Sequence, residues 1–85
     1  MSPKVIKVEP LENYQLRLTF SNGEVRCFDV TPYLDKGIFT ELKNLEYFRQ
    51  VKISFSSVQW LHEQDFSRDT LYLLSEQEES VVTSL

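Results

Sequence analysis

Trp60-Leu61-His62-Glu63-Gln64-Asp65-Phe66-Ser67-Arg68-Asp69-Thr70-Leu71-Tyr72 decides the reading of this chain, because three structural signals follow one another within it. Val58-Gln59-Trp60 begins a strand that carries a large aromatic side chain meant for the interior, and a polar turn follows. Ser67, followed by Asp69 and Thr70, then has the make-up of a helix N-terminus, where a hydroxyl accepts from unpaired backbone amides and an acid complements the positive helix end. A helix is expected over residues 68–74, with Leu71 and Tyr72 on it.

The strands that this segment packs on lie toward the N-terminus. Tyr14-Gln15-Leu16-Arg17-Leu18-Thr19-Phe20 alternates apolar and polar residues at period two, which places Tyr14, Leu16, Leu18 and Phe20 on one face of a half-buried strand. Asn22-Gly23 follows and is a strong hairpin signal, since both residues tolerate positive φ; the return strand covers residues 25–30. A two-residue Asn22-Gly23 loop would pair Phe20 with Val25 and Leu18 with Cys27. A three-residue loop starting at Ser21 would instead pair Leu16 with Phe28 and Tyr14 with Val30. The shorter loop is preferred. Apolar residues of both parities on the return strand suggest that it is central in the sheet, with Cys27 as a packed thiol. Residues 4–8 read as an edge strand halted by Pro10.

Thr31-Pro32 pairs a cap residue with a proline suited to the first helical position, so residues 31–35 should form a short turn that Gly37 ends. Phe39, Leu42 and Leu45 then recur at helical spacing. Asn44 is a second cap, leading Tyr47 and Phe48 inward. Residues 51–55 alternate again, and Ser56-Ser57 is expected to turn the chain toward Val58. The sum is a small α+β domain built on an antiparallel hairpin sheet of three to five strands with two or three short helices, occupying residues 1–75. Residues 76–85 read as an acidic tail.

Composition narrows the function classes. Eighty-five residues, 41% apolar and 13% aromatic, suit one compact core and leave little chain for a deep enzymatic cleft. Of the net charge of −4, the tail acids Glu76, Glu78 and Glu79 supply three, so the body is nearly neutral. With a pI near 4.9, the chain lacks the basic stripe that direct nucleic-acid binding requires. A single cysteine precludes an internal disulfide, no apolar run approaches the ~20 residues of a membrane span, and the N-terminus has no secretory pattern, so a cytoplasmic protein is expected.

Candidate chemistry is sparse. His62 is the only histidine, and Glu63, Asp65 and Asp69 lie near it in sequence. One histidine among carboxylates lacks the several nitrogen or sulfur ligands of a zinc site, and Asp65 and Asp69 are better placed to bond backbone amides at the helix start. Asp29, an acid at the end of an apolar strand, suits capping of the Thr31-Pro32 turn or pairing with Arg17 or Arg26. No serine has a base at a diagnostic offset. Neither a cofactor nor a metal site is expected.

Taken together, residues 16–24 with Asn22-Gly23 at their end, Phe28-Asp29-Val30, Phe39, Leu42, Phe48 and the run from Trp60 to Tyr72 resemble the small bacterial domain-of-unknown-function 2442 family. That family has a C-terminal signature similar to Trp-Pro-Asn-Gly-x-Asp-Leu-x-Pro-x-x-Leu-Tyr. Trp60, Asp65, Leu71 and Tyr72 match it, as Gly23 and Asp29 match the hairpin. Leu61 stands in place of the first proline, Glu63 in place of the glycine, and Arg68 in place of the helix-opening proline. The resemblance implies a compact α+β domain without established activity, sometimes encoded beside a second small protein in a pair that looks like a toxin–antitoxin module.

The expectation is therefore a non-enzymatic domain that binds another protein, such as the product of an adjacent gene, or a second copy of itself. Glu78, Glu79, Val81 and Val82 are candidate contact residues, because β-branched residues beyond an acidic spacer can add a strand to an open sheet edge. The rival readings are a small hydrolase or metal-dependent enzyme using His62, Asp65 and Asp69, and a regulator that reaches DNA through a partner.

Overall fold

A computed structural model describes residues 2–77. Seven antiparallel strands divide between two sheets. The first has the order β1-β2-β3-β7, with β1 at Val5–Leu11, β2 at Gln15–Phe20, β3 at Val25–Asp29 and β7 at Glu76–Gln77. The second has the order β4-β5-β6, with β4 at Lys52–Ser54, β5 at Ser57–Gln59 and β6 at Asp65–Phe66. Two short α-helices, α1 (Leu45–Phe48) and α2 (Arg68–Leu74), complete an α+β domain together with three 3₁₀ segments. Glu76 and Gln77, which open the acidic segment, pair with Cys27 and Arg26, so β3 is internal to its sheet.

The alternation in β2 survives intact: Leu16, Leu18 and Phe20 are fully buried. The hairpin that follows takes the longer loop, pairing Leu16 with Phe28 and Leu18 with Arg26, against the shorter loop preferred from sequence. The cause is local. Gly23 alone takes a positive φ, at 92°. The Gly23 amide donates to Phe20 O, and the Phe20 amide to Glu24 O, both at 2.9 Å. One left-handed residue after an ordinary turn makes a three-residue loop, whereas the two-residue form needs two. This register also sends Arg26, not Cys27, to the inner face beside Leu18.

Pro10 does not halt β1 but lies within it, opposite Leu16. Phe20 directs its amide to β3, and by alternation so does Leu16, which leaves residue 10 with its own nitrogen on the outer edge of the sheet. A proline loses no ladder bond there. The link from β1 to β2 places Asn13 and Tyr14 at φ of 64° and 60°. For a bulky residue such a conformation is costly, and here it swings the Tyr14 ring edge-on against Phe48 at 5.4 Å and its hydroxyl onto Lys43 O at 2.5 Å.

Residues 31–33 form a 3₁₀ turn with Pro32 in its first positions. The amide of Thr31 is bonded by Asp29 Oδ1 at 2.9 Å, so the acid before the turn does the capping expected of Thr31. Gly37–Lys43 is also 3₁₀, a geometry in which every third residue shares a face; Phe39 and Leu42 accordingly pack inward. Leu45, expected to join them, is 41% exposed, because the chain leaves the 3₁₀ path at Asn44 and starts α1 in a new direction. Asn44 Oδ1 accepts from the amides of Glu46 (3.0 Å) and Tyr47 (3.4 Å), and Tyr47 and Phe48 are buried.

The second sheet turns one residue earlier than its sequence suggests: Ser54 pairs with Ser57, and Phe55 and Ser56 form the loop. Its core face joins the first sheet through aromatic contacts centred on Phe66, which lies 4.9 Å from Phe28, 5.0 Å from Phe39 and 5.1 Å from Tyr33 between ring centroids. Trp60 is 0% exposed, and its indole N–H donates to Phe48 O at 2.9 Å.

Candidate functional site

The polar turn after Trp60 is a second three-residue loop. The Trp60 amide donates to Gln64 O (2.9 Å) and the Glu63 amide to Trp60 O (3.0 Å), with Glu63 left-handed at φ 75°. The loop is fastened to α1 and the 3₁₀ segment before it by Gln64, a polar side chain only 1% exposed. Gln64 Oε1 accepts from the Tyr47 hydroxyl (2.6 Å), while its Nε2 donates to Ile38 O and to Glu41 Oε1, each at 3.0 Å. Tyr47 Oη in turn accepts from the His62 amide at 2.8 Å.

His62 stacks on Tyr47, with centroids 5.3 Å apart, and its Nδ1 faces Glu41 Oε1 at 2.9 Å and Oε2 at 2.7 Å. A carboxylate only accepts, so Nδ1 carries the proton. The hydrogen bond from His62, and then that from Gln64, hold the Glu41 carboxyl below its ordinary value of 4.5. An imidazole oriented by an acid could shuttle protons through its other nitrogen. Its carboxylate partner is Glu41, however, 21 positions away in sequence, and neither Asp65 nor Asp69. Among the described residues the ring's polar contacts are to Glu41, with no hydroxyl or thiol bonded to it.

Asp65 lies opposite Gln59 in β6 and Asp69 in the first turn of α2, both exposed. Neither side chain bonds a backbone amide among the described residues; the cap is Ser67, whose Oγ accepts from the Thr70 amide at 3.1 Å. No cluster of three His, Cys, Asp or Glu side chains that could hold a metal ion occurs among those residues. Of the other motif positions, Gly23 forms the hairpin loop, Asp29 caps the following turn, Leu71 is buried, and Tyr72 packs edge-on to Phe20 at 5.2 Å. The Tyr72 hydroxyl donates to Glu24 Oε2 (2.8 Å), and the Arg26 guanidinium lies 4.6 Å over its ring. Glu78, Glu79, Val81 and Val82 lie outside the described residues.

A feature absent from the sequence expectations stands at the β4–β5 tip. Phe55 and Ser56 have φ of 52° and 67°, and the Phe55 ring is 97% exposed. Two-residue hairpin loops with positive φ at both positions favour Asn and Gly. No sequence signal marks this one, since Phe55 also continues the alternation of residues 51–55. Phe55 itself lines a groove of about 350 Å³, together with Ser54, Asp65 and Arg68 and with the buried residues Val58 and Phe66. A smaller depression of about 170 Å³ lies between Cys27, Gln15 and Leu74.

Two antiparallel sheets closed by short helices over one aromatic core define a small α+β domain, with a polar network that locks the three-residue loop after Trp60. A model of the family described as a protein of unknown function, DUF2442, matches residues 5–77, and the chain belongs to that family. No curated protein and no solved structure matches it significantly. No helix among the described residues is long and apolar enough to cross a membrane.

Proposed function

We propose that this chain is a non-enzymatic protein-interaction domain of the cytoplasm, with the β4–β5 hairpin as its contact surface and Phe55 as the anchor. The observation that carries the reading is the combination at Phe55: an aromatic ring 97% exposed, held up by a backbone conformation that a bulky residue adopts only at a cost. Nothing in the fold is gained by that ring, whereas rigid exposed aromatics are the side chains that dominate protein interfaces. The hairpin is braced from behind by a bond from the Val5 amide to Ser56 O at 3.0 Å. Ile6, which follows Val5, and Ile53 in β4 are exposed as well. The His62–Glu41 pair reads, within this proposal, as part of the loop lock, because every member of its network ties one element to another.

A photo-crosslinking amino acid placed at position 55 in cells tests this. Discrete protein adducts are expected from position 55 and not from exposed position 73 on α2. Absence of adducts at 55 from a folded, expressed chain would overturn the proposal. A chain ending at Gln77 separates the alternative contact segment: adducts that persist without Glu78, Glu79, Val81 and Val82 assign binding to the hairpin.

A further inference from the structure

We propose that the hairpin surface is self-complementary and that two copies of this chain associate across a two-fold axis, each inserting Phe55 into the groove of the other. The inference rests on the reading of Phe55 as an anchor and names its occupant. The projecting ring is itself one wall of a groove of about 350 Å³, lined also by Ser54, Asp65 and Arg68 and closed beneath by the buried residues Val58 and Phe66, so knob and hole share one face. That placement matters for closure. A knob and a hole on one face can satisfy each other in a closed pair, whereas on opposite faces they would propagate a filament.

Charge supplies the second argument. Asp65 and Arg68 both line this groove, and neither is ion-paired within its own chain among the described residues. A two-fold axis through the groove brings Asp65 of each copy toward Arg68 of the other and the reverse, two equivalent ion pairs flanking the exchanged rings. A different partner would have to present the same two signs in the same arrangement. A second copy presents them by symmetry.

The size of the contact sets its strength. Stable interfaces take about 800 Å² from each partner, roughly a seventh of the 5364 Å² that this chain exposes. One hairpin and one groove make a smaller contact, so a dissociation constant on the order of 10–100 µM is expected, with weakening at high salt.

Sedimentation velocity of the purified full chain, run from low micromolar to about millimolar concentration, tests the inference. A concentration-dependent monomer–dimer equilibrium is expected. Phe55→Asn should abolish it while circular dichroism stays unchanged, because asparagine tolerates the left-handed turn. Asp65→Arg alone and Arg68→Asp alone should each weaken the dimer at least tenfold, and the double exchange should restore it, since the swapped charges again meet their opposites. A chain monomeric throughout, or a dimer indifferent to Phe55→Asn, overturns the two-fold pair. Adducts from position 55 that contain only a different protein do so as well, yet leave the interaction reading standing; their absence removes both.

Discussion

The Tyr72 hydroxyl lies 2.8 Å from Glu24 Oε2, a bond that fastens the last helix to the strand leaving the first hairpin. Arg26 completes the fastening from the inner face of β3, donating to Glu24 Oε1 at 2.6 Å and, through Nε and Nη2, to Ser75 Oγ at 2.9 Å and Ser75 O at 3.1 Å. The Tyr72 hydrogen bond is the foremost cause holding the Glu24 carboxyl below its ordinary 4.5, and the same bond raises the Tyr72 phenol above 10.0.

The sign of the pH dependence follows from these directions. A depressed carboxyl adds stability that is complete above its unfolded value and is lost as pH falls through the folded one; a raised phenol adds stability that is complete below 10 and is lost as pH climbs further. Glu41 and Asp35, lowered chiefly by His62 and Lys43 respectively, act in the acid direction too. Urea midpoints should thus form a plateau between about pH 5 and pH 9.5 and fall on both sides. Tyr72→Phe should remove the alkaline limb assigned to this bond and move the Glu24 titration upward, as followed by carboxyl carbon resonances. An unmoved Glu24 titration would disprove the linkage.

Glu63 occupies a left-handed position, at φ 75°, where the related signature has glycine. A non-glycine residue there costs roughly 1–2 kcal/mol, partly offset by the greater freedom glycine has in the unfolded chain. Glu63→Gly should stabilise the domain by about 0.5–1 kcal/mol, while Glu63→Ala gains nothing of that kind. Chemical denaturation of the two variants side by side makes the comparison. Equal effects would mean that charge, and not backbone conformation, governs the position.

Asn44 bonds two amides of the four-residue helix α1, and that helix carries both Tyr47 of the loop lock and Phe48 of the core. Asn44→Ala should therefore cost about 1 kcal/mol, with Asn44→Asp retaining most of it. Protection of the Glu46 and Tyr47 amides from hydrogen exchange should drop in the alanine variant. Unchanged protection there would show that tertiary packing alone sets α1.

How much of this was legible in the sequence depends on the range over which each signal acts. The alternation of Leu16, Leu18 and Phe20, the Asn44 and Ser67 caps and the burial of Trp60 are local patterns, and they hold in the structure. Loop length at Asn22-Gly23 was not legible, because either loop uses the same residues and the choice falls on how many of them turn left-handed. The division into two sheets hinges on Phe66, whose ring contacts to Phe28, Tyr33 and Phe39 come from residues 27 to 38 positions earlier. Glu41 as the partner of His62 was hidden for the same reason: no spacing rule links a 3₁₀ segment to a loop 21 residues on. Phe55 was misleading in a different way, since it obeys strand alternation while violating the residue preference of the turn it occupies.

That violation gives the last prediction. Replacing Phe55-Ser56 by Asn-Gly supplies the residues that a two-residue loop with positive φ at both positions prefers. Phe55 gives up no buried contact in the exchange, being 97% exposed, and the cost of two strained positions falls away. A gain of about 1–2 kcal/mol in unfolding free energy is expected. The same variant should lose the self-association assigned to Phe55, so that stability rises while binding falls. Such opposite movement is the signature of a residue kept for contact and not for folding. A variant that is both less stable and unchanged in association would instead make Phe55 a structural residue, and the hairpin would cease to be the contact surface.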